Sequence, residues 1–204
     1  MIYFELAPYF IPDRYDRSVY VTSASAKEIR LTLEVALDLV NALSADEPID
    51  SARTRDLLDH QGFTRAAGAP DAEVARVNAR LGALLDRFRS LPDGTDLDTV
   101  EWVNAELAHL SIAPTAVTHD GAPLHIHWTP STATFDDQVI ADILMALAQE
   151  VCDHGTKRFG RRAATDCDHL YYDATRNGSR RFCSDPRCAS RTHTADHRAR
   201  RRNT

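Results

Sequence analysis

From Ser25 onward the chain alternates between segments with the 3.6-residue period of helices and shorter segments with the two-residue period of strands. The segment SAKEIRLTLEVALDLVNALS (25–44) places its apolar side chains mostly three and four positions apart, which predicts a long helix that buries one face. Other segments with this period predict helices over residues 51–63, 71–91, 97–110 and 136–155. Gly62 and Gly155 stand where glycine commonly ends a helix.

The two-residue period appears in PTAVTHDGAPLHIHWTP (114–130). Two short extended runs flank Asp120-Gly121, a dipeptide that favours a hairpin turn. A further short strand is predicted at SVYVTS (18–23). The predicted fold is therefore mainly α (α+β): a helical N-terminal domain with a small β-hairpin over residues 1–155, followed by a small hairpin-helix module over residues 156–204.

Charge separates the same two parts. The chain has a net charge of −6, but residues 156–204 hold 13 of the 24 Lys and Arg and only 5 of the 30 Asp and Glu, a net of +8. Residues 1–155 therefore carry −14. An acidic body joined to a basic end indicates nucleic-acid contact at that end, although a solvated tail without a partner has the same composition.

The chain begins MIYFELAPYFIPDRYDRSVY, with acids and prolines where a signal peptide would carry a basic start and an apolar run. No segment approaches the roughly 18 to 20 apolar residues of a membrane span. We therefore expect a cytoplasmic protein without a membrane partner. Stable disulfides are rare there, so the four cysteines, all within the last 53 residues, are interpreted as metal ligands.

The C-terminal cysteines flank a compact pattern. Cys167 precedes the extended run HLYYD, Asn177-Gly178 marks a turn, and RFCS returns the chain to Cys183 as the second half of a hairpin. Cys188 follows, and CASRTHTADHRARRR is a plausible helix. Small zinc modules are built in this order. Cys167, Cys183 and Cys188 supply three thiolates and His193 is the fourth candidate, while Cys152 and His154 are alternatives and a metal-free hairpin stays open.

This segment resembles the CGNR zinc finger at the C-terminus of bacterial proteins with an ABATE domain. The residues that carry the resemblance are Cys167, Tyr172, Asp173, Arg176, Asn177, Ser179, Arg180, Arg181, Phe182, Cys183, Cys188 and Arg191. The resemblance implies zinc as a cofactor. Two positions depart from the pattern: the first cysteine of the family falls on Arg162, and Cys-Gly-Asn-Arg reads Cys188-Ala-Ser-Arg191.

Residues 27–155 resemble the ABATE domain through soft, apolar motifs such as ALDLVNAL (36–43) and PLHIHWTP (123–130). Proteins of this kind are regarded as stress-related transcription regulators. The resemblance implies a regulator whose basic finger contacts DNA. We expect the acidic domain to sense a ligand, to mediate assembly or to shield the basic tail. The sequence leaves a small-molecule effector and a homodimer open.

The arginines of the C-terminal segment fall into two groups. Those around the turn are suited to gripping phosphates: Arg176, Arg180 and Arg181. Those on or beyond the last helix are Arg191, Arg198, Arg200, Arg201 and Arg202. Arg191 and Arg198 share one helical face, so Arg191 is the best candidate for a base edge. If about six phosphates are neutralised, the affinity falls with salt at a log–log slope near −5.

The helical domain offers one other candidate site. His125 and His127 lie on one face of a strand and Trp128 follows, which indicates a small-molecule pocket or, as a further alternative, catalysis. No phosphate loop, nucleophile elbow or dinucleotide fingerprint occurs, so we expect no enzymatic activity. The alternative to DNA binding is a protein or RNA adaptor with a basic docking tail.

Overall fold

Helices dominate the part of the chain that the computed structural model describes, which is residues 23–45, 49–63, 65–118, 124–161, 167–183 and Arg201. The helices are α1 (Ser23–Leu43), α2 (Ser51–His60), α3 (Asp71–Ala83), α4 (Leu85–Ser90), α5 (Asp96–Leu107) and α6 (Phe135–His154). The strands are β1 (Thr115–Val117), β2 (His125–His127), β3 (Phe159–Arg161) and β4 (Leu170–Tyr172). A mainly helical chain with two small antiparallel sheets, β1–β2 and β3–β4, confirms the predicted fold class.

The two longest helices, α1 and α6, form the centre of the core. α6 packs against α1, α3 and α5, and most of its residues are buried. Such a helix needs apolar side chains on most of its circumference, which the run VIADILMALAQEV supplies. None of the helices in the described part is both long and apolar enough to cross a membrane.

Four predicted helices are confirmed, and one is wrong in a single detail. The segment 71–91 is two helices, because the backbone turns at Leu84 (φ −98°, ψ 2°) before α4 begins. The turn directs Phe88 of α4 into the core, where its ring meets Trp102 edge-on at 5.8 Å. Core packing here overrides the helical period that the sequence shows.

The predicted hairpin around residues 114–130 is confirmed in its strands. β1 and β2 are antiparallel, with Ala116 opposite Ile126. The turn dipeptide Asp120-Gly121 lies outside the described residues, as do residues 18–22 of the predicted strand at 18–23, whereas Ser23 begins α1.

A buried carboxylate ties α3 to the start of α6. Asp136 is 5% exposed and accepts hydrogen bonds from Arg76 Nε at 3.0 Å and Arg80 Nη1 at 3.1 Å. On the same side, the Phe135 amide donates to Glu73 of α3 at 2.7 Å. Burial raises the pKa of Asp136, but hydrogen bonds from Arg76, Thr134 and Arg80 outweigh it and hold this pKa below its ordinary value.

Replacing Asp136 by asparagine is therefore expected to lower the free energy of unfolding by about 1–3 kcal/mol, because a charge-assisted pair is lost. The stabilisation by Asp136 is complete above the ordinary carboxyl pKa of 3.8 and disappears as pH falls through the lower folded-state value. The difference in the free energy of unfolding between wild type and Asp136→Asn should therefore fall toward zero in that acidic range. Urea unfolding across pH measures it, with the exposed Asp59→Asn as control; equal shifts for both variants would refute the role of the pair.

Candidate metal centre and nucleic-acid interface

The candidate metal centre is built around β4, and β4 is fixed on both edges. On one edge it pairs with β3, where Tyr171 lies opposite Gly160 and its ring occupies the space that a Cβ on Gly160 would need. On the other edge, the Asn41 amide of α1 donates to the Leu170 carbonyl and accepts from the Leu170 amide, both at 2.9 Å. The Asn41 side chain thus makes the two hydrogen bonds with Leu170 that a neighbouring strand would otherwise make.

This arrangement corrects the predicted partner of HLYYD. We expected RFCS to pair with it across the Asn177-Gly178 turn, but the ladder partner is β3, and residues 181–183 form no strand. The backbone groups of β4 that point away from β3 are already hydrogen-bonded to side chains. Asn41 binds Leu170, and the Arg180 guanidinium donates to the Tyr172 carbonyl at 3.1 Å.

The residues that flank β4 bring potential metal ligands together. Cys167 precedes the strand, and the chain returns at Cys183 so that the two Sγ atoms are 4.0 Å apart. His169 joins them: one ligand atom from each of these three residues lies within 4.8 Å of the others. Cys183 is buried, and Cys167 and His169 are half-buried.

This group fits a tetrahedral zinc ion. Two sulfur atoms that are each about 2.3 Å from one tetrahedral zinc lie about 3.8 Å apart, close to the observed 4.0 Å between Cys167 and Cys183. Thiolate and imidazole are the ligands that structural zinc sites use. The geometry and the donor set are consistent with zinc, and a tetrahedral ion would need one further ligand.

The predicted ligands divide into those the structure brings together and those it does not describe. Cys167 and Cys183 converge as expected, whereas Cys188 and His193, like Arg162, lie outside the described residues. The alternative ligand Cys152 is exposed at the end of α6, outside the group. Sequence reasoning missed His169, although its position two residues after Cys167 was a usable signal.

The turn after β4 is organised by Asp173, which is 5% exposed. Its carboxylate accepts hydrogen bonds from the Thr175 amide and the Arg180 amide, each at 2.8 Å. Burial raises the pKa of Asp173, but these hydrogen bonds and that of the Thr175 hydroxyl hold it below its ordinary value. Gly178 has φ 59°, a left-handed conformation that glycine adopts without strain.

The arginines that we expected to grip phosphates have different surroundings. Arg176 and Arg181 are exposed on the turn. Arg180 is half-buried, donates to the carbonyls of Tyr172 and Phe182, and stands 3.7 Å from Glu34 of α1. Arg201 is helical and exposed. The remaining predicted DNA contacts lie outside the described residues: Arg191, Arg198, Arg200 and Arg202.

Comparison with known families agrees with this geometry. Residues 158–201 match the family model of the CGNR zinc finger. The match begins at Arg158, whose guanidinium donates to the Asp173 carbonyl, and it includes the three converging ligands. It does not extend into the helical part, so the resemblance of residues 27–155 to an ABATE domain stays an expectation. A search of curated proteins found no match to this chain.

The finger shares a core with the helices. Phe159, Leu170 and Tyr172 belong to the same buried apolar cluster as the side chains of α1 and α6, so apolar packing crosses the predicted boundary at residue 155. The Tyr172 hydroxyl donates to Glu150 of α6 at 2.9 Å. Burial, and then the charge of Glu150, raise the pKa of Tyr172, which keeps the hydroxyl protonated as a donor.

Glu150 is itself the centre of a buried cluster. It is 4% exposed, and its Oε1 lies 3.1 Å from His154 Nδ1 and 3.5 Å from Arg158 Nε. Neither contact has the geometry of a hydrogen bond, so the positive charge of Arg158 is what offsets the cost of burying Oε1 away from water. Glu150 therefore joins α6 to both strands of the finger, through Arg158 before β3 and Tyr172 in β4.

The predicted ligand site in the helical part is only partly assembled. His125 and His127 project from one face of β2 with their Nε2 atoms 3.1 Å apart, and Trp128 is half-buried after them. A cavity of about 220 Å³ lies elsewhere, lined by α1, β4, Gln61 and Arg180. None of the three predicted residues lines that cavity, and whether they bind a ligand stays a prediction.

Proposed function

We propose that this protein is a DNA-binding transcription regulator whose finger, residues 158–201, is held by zinc and contacts DNA. The observation that carries the proposal is the convergence of Cys167, His169 and Cys183 within the same short segment, residues 167–183, that exposes Arg176 and Arg181. A metal ion there would fix the two chain segments from which these arginines project. The net charge of +8 over residues 156–204 supports an anionic partner.

In this proposal three ligands come from the described residues, and the fourth is Cys188 or His193. His169 takes the place left by Arg162, where the family has its first cysteine. Bound zinc would supply structural cross-linking only, because a site closed by four protein ligands leaves no position for substrate. Zinc affinity of Cys188→Ser and His193→Gln identifies the fourth ligand: the variant that loses affinity carries it.

DNA binding is tested with the full chain and its two exposed turn arginines. Zinc-loaded wild type and Arg176→Ala/Arg181→Ala are bound to fragmented genomic DNA of the source organism across a salt series. We expect the double variant to bind more weakly and its log–log salt slope to be shallower by about 2, since each phosphate contact contributes about 1. Arg53→Ala, an exposed arginine on α2, is the matched control and should leave the slope unchanged.

The same experiment separates the alternatives. Selective recovery of discrete genomic sites supports a transcription regulator, and Arg191 then becomes the first residue to test for base recognition. Weak binding that disappears uniformly with salt, or no binding, contradicts the proposal. In that case the basic segment is an adaptor for RNA or for an acidic protein surface.

The acidic body has a separate part in this proposal. Its charge of −14 over residues 1–155 repels DNA, so it does not widen the DNA footprint. We assign to it the sensing of an effector or the assembly of the regulator, without catalysis. Glu34 of α1 lies 3.7 Å from Arg180 and Asn41 binds Leu170, so α1 contacts the finger directly.

A further inference from the structure

Arg180 joins strand β4 to the chain segment that ends at the ligand Cys183. Its Nε donates to the Phe182 carbonyl at 2.9 Å, and its Nη1 donates to the Tyr172 carbonyl at 3.1 Å. Its backbone amide donates to the Asp173 carboxylate at 2.8 Å. Both its side chain and its backbone therefore bind groups of the finger itself.

The surroundings of the Arg180 guanidinium are poorly suited to a DNA phosphate. The side chain is 27% exposed, and Nη1 lies 3.7 Å from the Glu34 carboxylate of α1. The central carbon of the guanidinium lies 6.0 Å from the centroid of the Tyr171 ring. A phosphate that approached this guanidinium would come close to Glu34, which has the same sign of charge, so the approach is opposed.

The contacts of Arg180 bear directly on where the metal ligands lie. Cys167 and His169 precede β4, whereas Cys183 follows Phe182 at the far end of the turn. The guanidinium binds the last residue of β4 and the residue before Cys183 at once. Such a planar fork holds two acceptors at a fixed separation. The segment that carries Cys183 is thereby fixed relative to the strand beside the other two ligands.

We propose that Arg180 is a positioning residue of the metal centre, which holds Cys183 next to Cys167 and His169, and that it is not a DNA contact. This assignment rests on the proposed function in so far as the three ligands bind zinc. It gives Arg180 a role different from that of Arg176 and Arg181, although all three flank the same turn.

Substitution by lysine separates the two roles. Arg180→Lys keeps the positive charge that a phosphate contact needs, but an ammonium group does not reproduce the fork. We expect it to lower the zinc affinity of the full chain by about 10- to 100-fold, the loss typical when a partner just outside the metal ligands is removed. Arg181→Lys makes the same change at the adjacent, exposed arginine and should leave the zinc affinity unchanged. Competition with a chelator of known zinc affinity measures both variants.

A second measurement requires no zinc. Cys183 is 7% exposed, so in the metal-free full chain its thiol should react slowly with iodoacetamide, whereas the exposed Cys152 supplies a reference rate in the same molecule. Release of Phe182 in Arg180→Lys should expose Cys183 and raise its alkylation rate several-fold relative to Cys152. Peptide mass spectrometry distinguishes the cysteines. If wild type binds no zinc, the proposed function fails, while the alkylation rates still decide whether Arg180 holds Cys183 in place.

A further variant covers the case in which circular dichroism shows that Arg180→Lys does not fold. Glu34→Gln removes only the half-exposed partner of Arg180, so the zinc affinity should fall by about two- to fivefold. Glu101→Gln, at an exposed carboxylate of α5, is its control and should have no effect.

Two results would overturn the assignment: equal zinc affinities of the folded Arg180→Lys and Arg181→Lys variants, or equal alkylation of Cys183 in Arg180→Lys and wild type. An Arg180→Ala variant that retains its zinc affinity but has a DNA salt slope shallower by about 1 would also contradict it, since Arg180 would then be a phosphate contact.

Discussion

Replacing Cys183 by serine is expected to remove the zinc ion from the finger and to unfold the turn that carries the exposed arginines. Structural zinc in finger peptides contributes an apparent binding free energy of about 10–16 kcal/mol at neutral pH, and this energy is also folding energy. Cys183 is buried and 4.0 Å from Cys167, so its sulfur belongs to the described ligand group. Elemental analysis should find about one zinc per wild-type chain at this site and far less in the variant.

The chain provides a matched control for this substitution. Cys152 is a free, exposed cysteine on α6, outside the described ligand group. Cys152→Ser should keep its zinc and its DNA affinity. If both serine variants retain the same amount of zinc, Cys183 is not a ligand of that ion.

The second large effect is a loss of stability expected on replacing Asn41. This side chain is 8% exposed, and its amide makes two hydrogen bonds from α1 to the backbone of Leu170 in β4. Asn41→Ala leaves the Leu170 amide and carbonyl without these partners in a buried position. Each unsatisfied backbone group costs about 1–3 kcal/mol, so the free energy of unfolding should fall by about 2–6 kcal/mol. Denaturant unfolding measures the change, and hydrogen exchange should show reduced protection at the Leu170 amide.

Asn104→Ala is the control for this prediction, since Asn104 is exposed on α5. A loss of stability in Asn41→Ala no larger than in the control would show that Asn41 does not hold β4 in place. Unchanged exchange at Leu170 would lead to the same conclusion.

The helices could be predicted because each buries a face and therefore shows its period in the sequence. α1 and α6 are predicted to within two residues, and Gly155 has the left-handed φ of 68° expected at the end of α6. The division of 71–91 into α3 and α4 could not be predicted, since Leu84 fits the helical period and the turn there arises from packing around Phe88.

The candidate site was predictable where ligands are close in sequence and unpredictable where partners are distant. The convergence of Cys167 and Cys183 followed from a turn between them, and the structure confirms it. The strand partner of β4 could not be predicted in the same way. The edge of β4 away from β3 is occupied by Asn41, which is 129 residues from Leu170 in the sequence. Arg180 illustrates the same limit. Its sequence surroundings are like those of Arg176 and Arg181, but only the fold shows its contact with β4.

The packing of Phe159, Leu170 and Tyr172 against the helices determines how this finger can be exchanged among proteins. A segment that begins after Gly155 would take these apolar side chains out of their core and leave Asn41 and Glu150 facing water or a new partner. The finger is therefore not expected to fold when it is transferred alone to another protein. Recombination that moves it requires the complementary residues of α1 and α6 to move with it, so the finger and those helices are expected to be inherited as a unit.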